Sequence, residues 1–141
     1  MNEELLTMNP PHPSSAPPDP RELLADLAHD LGKYLRMPVA FLPAAASDDE
    51  VRDAARRALL ETRVTPTGTR GARALWEAFL AEGGDALRGR EGFDELERAV
   101  ARALAWETRV RDGGSALERP ALVADFSAVS AAIRALSQRL D

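Results

Sequence analysis

Apolar residues recur at three- and four-residue spacing in five separate stretches of the chain. In an α-helix of about 3.6 residues per turn this spacing puts them on one face, so each stretch predicts an amphipathic helix. No sustained alternation of apolar and polar residues, the pattern of a half-buried strand, occurs in the sequence. The five predicted helices cover approximately residues 19–37, 48–63, 72–82, 92–111 and 120–140.

Capping signals mark where some of these helices begin and end. Asp19 can cap the first helix, and Ser47 with Glu50 forms a capping box at the start of the second. Pro38 disfavours helical geometry at the residue before it, so the first helix is expected to end near Met37. The connections between the predicted helices are short, which favours a bundle.

The last predicted helix has the most regular apolar face. Its large apolar residues alternate four- and three-residue steps: Leu122, Phe126, Val129, Ile133, Leu136 and Leu140. Such a heptad-type seam suits packing nearly parallel or antiparallel to a neighbouring helix, either in the same chain or in a second copy. The expected fold class is therefore all-α, a compact bundle of about five helices.

The first 18 residues differ from the rest of the chain. They contain five prolines among serine, asparagine and alanine, a composition that cannot form a helix interior and has little to bury. We therefore predict a disordered proline-rich tail over residues 1–18 and a single helical bundle domain over residues 19–141.

Composition and charge narrow the function classes. With 45% hydrophobic and 29% charged residues a globular body is expected, and the absence of cysteine excludes disulfides and thiolate nucleophiles. A net charge of -5 argues against binding to nucleic acid. The chain has no run of 18 apolar residues and no signal-peptide pattern at its start, so no membrane contact is expected and a cytoplasmic location is predicted.

One segment, residues 23–35, concentrates side chains that are rare elsewhere in the chain. Its sequence LLADLAHDLGKYL holds the only lysine, the only tyrosine and the only histidine outside the tail. On a helix His29 lies about 200° around from Leu27, so it is expected on the surface and away from the core. The candidate residues of a docking or phosphoacceptor surface are Asp26, His29, Asp30, Gly32 and Lys33.

Gly32 is unusual inside this helix because glycine there costs about 1 kcal/mol relative to alanine. Either the helix breaks at Gly32 or something approaches it closely, and the missing side chain would leave space beside His29. We expect the helix to continue, because Tyr34 and Leu35 still extend the apolar stripe.

The first half of the segment, LADLAHDL, resembles the phosphoacceptor box of sensor histidine kinases, and more loosely that of histidine phosphotransfer domains. This resemblance implies an exposed histidine on a bundle helix that accepts a phosphoryl group. No nucleotide-binding segment follows in the sequence, so no resident kinase domain is expected.

The run HDLGK resembles the signature of HD-type metal-dependent phosphohydrolases, which often reads HD-[IL]-GK. That resemblance implies further histidine or aspartate ligands, because one adjacent pair cannot fill a metal's coordination sphere. The only other histidine, His12, lies in the proline-rich tail. We therefore predict no catalytic residue, no metal and no cofactor.

These observations favour a non-enzymatic regulatory module that binds a partner protein through its first helix, with or without phosphotransfer to His29. An HD-type phosphohydrolase or its inactive remnant is one alternative. Assembly through the last helix, giving a homodimer, is another. A plain solvated helix face is the simplest interpretation of His29, since exposed histidines among charged residues commonly have no further role.

Overall fold

The computed structural model describes residues 19–61, 65, 68–112 and 117–140. The predicted disordered tail, residues 1–18, lies outside the described residues. Within them the chain is helical and forms no strand, which confirms the all-α fold class.

The helical segments follow one another with short connections. They are α1 (Pro20–Leu27), a π-helical segment (Ala28–Lys33), α2 (Tyr34–Ala40), α3 (Asp48–Arg56), a second π-helical segment (Arg57–Glu61), α4 (Ala72–Ala81), a short 3-10 helix (Gly84–Leu87), α5 (Phe93–Asp112) and α6 (Arg119–Gln138). The first three run on without a break and form one helix, residues 20–40, called the N-terminal helix below. As predicted, it continues through Gly32.

The predicted caps are present. The side chain of Asp19 accepts a hydrogen bond of 2.9 Å from the Arg21 backbone N–H. At α3 the Ser47 hydroxyl accepts from the Glu50 N–H, and the Glu50 carboxylate accepts in return from the Ser47 N–H. These bonds satisfy backbone donors that have no partner inside the helix, which is why the starts of both helices were readable from local sequence.

The end of the N-terminal helix was predicted wrongly. It does not stop near Met37 but continues through Pro38 to Ala40. A proline inside a helix removes a backbone donor and typically costs about 3 kcal/mol. Val39, the next residue, is fully buried in the core, and its burial helps to offset that cost.

A side chain from the far end of the sequence also holds this helix end. The Arg119 guanidinium, at the start of α6, donates to the carbonyl oxygens of Pro43 and Leu42 at 2.6 Å and of Val39 at 3.4 Å. Carbonyls in the last turn of a helix and just after it lack partners within the helix. Arg119 therefore acts as a tertiary cap, which a local reading of residues 34–40 could not predict.

α6 is the helix around which the bundle packs. It contacts α5, α1, the first π-helical segment and α2. The apolar seam predicted from the sequence is buried from Leu122 to Leu136, and Leu140 is partly buried. The seam is therefore occupied by other helices of the same chain.

α6 also has the length and composition of a candidate membrane span, with a mean hydropathy of 1.2 over 18 residues. The expectation of no membrane contact was based on the absence of an uninterrupted run of 18 apolar residues, a criterion that this alanine-rich helix does not meet. Its largest side chains face the bundle core, and Asp125 accepts a hydrogen bond of 2.8 Å from the Trp106 indole of α5. One side of α6 thus packs against the bundle, and 28% of the 18-residue window is buried.

The tertiary cap can be tested by Arg119→Ala. We expect the free energy of unfolding to fall by about 1.5–3 kcal/mol, because bonds from a charged donor to several carbonyls are lost. Arg119→Lys should recover only part of this, since an ammonium lacks the forked geometry of guanidinium. Chemical denaturation gives both values. Arg134→Ala, an exposed change on the same helix, should stay within about 0.5 kcal/mol; an equal loss in both variants would contradict the cap.

Candidate functional site

The candidate site is centred on His29 and Asp30, in the π-helical segment Ala28–Lys33. The His29 Nδ1 lies 3.0 Å from the Asp30 Oδ1, and the two side chains are 54% and 34% exposed. An ionised carboxylate can only accept a hydrogen bond, so Nδ1 carries the proton in this contact. When the ring is neutral, the lone pair belongs to the second ring nitrogen, Nε2, of this half-exposed side chain.

The π-helical winding also brings His29 onto Tyr34. Their ring centroids are 5.3 Å apart, with an angle of 79° between the planes, an edge-to-face contact. Residues five apart in an α-helix point about 140° away from each other, so this contact depends on the wider π winding. Tyr34, expected on the core stripe, is consequently only half-buried. The Lys33 ammonium lies 5.9 Å from the centre of the same ring.

Gly32, three residues after His29, is buried against α6. A Cβ placed on Gly32 would lie 2.7 Å from the Ser130 Oγ and 3.6 Å from the Ile133 Cδ1. The approach predicted from this glycine is thus made by α6, and the space is not left beside His29. Gly32 positions the helix and is not accessible to a partner.

The other candidate residues are accessible. Asp26 and Lys33 are exposed on the N-terminal helix, and Asp30 is partly exposed beside His29. Four of the five predicted residues therefore share the outer part of this helix. The structure brings His29 and Asp30 together directly and leaves Asp26 and Lys33 on the turns before and after them.

An open groove of about 190 Å³ lies beside this surface, between the N-terminal helix and α4. We call it the acidic groove, because three carboxylates, Asp26, Asp30 and Glu82, lie among the residues that line it. The other lining residues are apolar: Leu23, Leu27, Leu75, Ala78 and Phe79. Sequence analysis missed the contribution of α4, because no local pattern shows that this helix lies beside the first.

A second groove lies on another side of α1, between α1 and α6. It is lined by Leu24, Ala25, Ala28 and residues of α6, and its charged residues are Arg21 and Arg134. We call it the basic groove. The two grooves therefore present opposite charges on different sides of α1.

Within the described residues no group of three or more histidine, aspartate or glutamate side chains could hold a metal ion. His12, the remaining histidine, lies outside those residues. The chain matches no protein-family model, no curated protein and no solved structure with which it was compared. The resemblances of LADLAHDL and HDLGK therefore rest on the sequence alone.

The role assigned to Gly32 predicts an energetic coupling with Ser130. Gly32→Ala should cost about 1 kcal/mol more in the natural chain than in a Ser130→Ala background, because the Ser130 Oγ is the one atom within 3 Å of the new methyl group. A double-mutant cycle measured by chemical denaturation gives this difference. The same cycle with Ser137→Ala, farther along α6, should show no coupling. A coupling near zero at Ser130 would contradict the close approach of α6.

Proposed function

We propose that this chain is a non-enzymatic docking module whose N-terminal helix binds a regulatory partner protein. The observation that carries the proposal is the exposed His29–Asp30 pair, held by a π-helical segment at the edge of the acidic groove. Single π-helical turns within α-helices frequently occur at functional sites. Docking of a partner would use the outer surface formed by Asp26, His29 and Lys33.

The size of the groove supports a protein partner over a small substrate. Pockets that enclose small molecules typically measure about 300–1,000 Å³. At about 190 Å³ the acidic groove is smaller and open, and it suits side chains presented by the surface of a protein.

A finer proposal is that His29 accepts a phosphoryl group from the bound partner. The Nε2 lone pair would attack phosphorus, a P–N bond would form, and the bond from phosphorus to the donor's leaving group would break. The imidazole ring becomes positively charged in this step. The Asp30 carboxylate, 3.0 Å from Nδ1, would stabilise that charge while it holds the ring in one orientation.

Site-specific photo-crosslinking tests the docking proposal. With benzoylphenylalanine at position 33, beside His29, we expect one partner to be captured in native host cells. Position 101, an exposed alanine of α5, is the matched control and should not capture it. The identified partner is then purified and titrated against the natural chain and against Asp26→Arg, which should bind at least tenfold more weakly. Equal capture at both positions, or none at position 33, would reject the N-terminal helix as the docking surface.

Treatment with phosphoramidate, a chemical donor, tests the phosphoacceptor proposal separately. We expect His29 to be phosphorylated faster than His12, which has no carboxylate within four residues in the sequence. Asp30→Asn should slow the phosphorylation of His29 by about tenfold, because a charge-assisted hydrogen bond at a half-exposed site contributes about 1.4 kcal/mol.

Peptide mass spectrometry at neutral pH measures both rates in one sample, with His12 as the internal control. His29→Ala should remove only the faster modification and change the free energy of unfolding by less than about 0.5 kcal/mol, since the side chain is more than half exposed. Equal rates at the two histidines would refute the phosphoacceptor role and leave the docking proposal standing.

A further inference from the structure

We infer that the acidic groove binds a cationic amphipathic helix of the partner protein. The inference rests on the proposed function, because it names the chemistry of the partner that docks beside His29. It also goes further, since it places the contact in a groove that includes α4 and does not depend on phosphorylation.

The shape of the groove favours a helical occupant. The N-terminal helix contributes residues 23, 26, 27 and 30, and α4 with its C-cap residue contributes residues 75, 78, 79 and 82. Both sets follow the same spacing of i, i+3, i+4 and i+7, so each side is a ridge about two helical turns, or 10 Å, long. Two such ridges side by side form the groove into which a third helix packs.

The floor of the groove is apolar. Leu27 and Phe79 are almost fully buried at its base, while Leu23, Leu75 and Ala78 are half-buried along its sides. Apolar side chains at i, i+3 or i+4, and i+7 of a partner helix would cover these residues. Covering the partly exposed leucines removes apolar surface from water, which favours binding.

The negative charge of the acidic groove favours a partner with positive charge. Asp26, Asp30 and Glu82 line it, and no lysine or arginine is among its described lining residues. Asp30 also holds His29, so a cation in the groove would lie next to that histidine. Lysine or arginine side chains flanking the apolar face of a partner helix would meet these carboxylates.

The basic groove on another side of α1 strengthens the selection. Arg21 and Arg134 line it, so a cationic helix is repelled there and attracted to the acidic groove. The two grooves therefore give a partner a defined side of the N-terminal helix. This difference does not require any change of shape in the bundle.

Two fluorescent peptides test the inference by anisotropy on the full chain. One is an amphipathic helix of leucine and lysine, and the other has the same pattern with glutamate in place of lysine. We expect the lysine peptide to bind at least tenfold more tightly, with an affinity that falls as salt is raised. Ala78→Phe, which fills the groove, should weaken binding of the lysine peptide at least tenfold. Ala101→Phe, on the exposed face of α5, should not weaken it.

A matched charge control separates the groove from the overall charge of -5. The double variant Asp26→Asn with Glu82→Gln should weaken binding of the lysine peptide about tenfold. The double variant Asp94→Asn with Glu118→Gln removes the same charge elsewhere and should have little effect on that binding. Equal effects of the two double variants would overturn the inference. So would equal binding of the two peptides, or no effect of Ala78→Phe.

The inference and the proposed function can fail separately. One outcome is that position 33 captures a partner that the lysine peptide does not displace and whose binding Ala78→Phe does not weaken. In that case the docking function stands and the acidic groove is not the contact. If the lysine peptide binds the groove as expected but no partner is captured at position 33, the groove is a binding site and the proposed docking function is wrong.

Discussion

The close packing of α6 on the N-terminal helix at Gly32 is the contact on which the candidate site depends. Because Gly32 has no side chain, α6 reaches the helix backbone there, and the buried side of the helix is fixed. His29, three residues before Gly32, stays exposed to solvent. A helix rotated by even one residue would bury polar groups at a cost of roughly 1–3 kcal/mol each.

The π-helical winding over residues 28–33 constrains the same surface locally, in addition to the packing of α6 at Gly32. It lets the buried leucines before and after Gly32 remain on the core side while His29 contacts Tyr34, five residues later. The imidazole is then held from two directions, by the Asp30 carboxylate and by an aromatic edge. A surface side chain with two such contacts loses less entropy on binding than a free one, which suits a residue at a docking surface.

The sequence predicted the helices and the core well, because amphipathic spacing and capping residues act over a few residues. The seam of α6 and the cap at Ser47 were confirmed for that reason. Three features were missed: the helix that passes through Pro38, the place of Tyr34, and the wall of the acidic groove at Glu82. The helix through Pro38 and the wall at Glu82 depend on contacts between segments distant in sequence. The place of Tyr34 depends on a change of helical winding. Such long-range contacts and such a change of winding leave no periodic signal in the sequence.

The bonds made by Arg119 have a consequence for the order in which the chain folds. They join positions 76 to 80 residues apart, so they close a loop that contains α3, α4 and α5. Such distant contacts form only after the intervening chain has become compact, because closing a long loop costs entropy before any bond is gained. We therefore expect the Arg119 bonds to form late in folding, after the segments between positions 43 and 119 have become compact.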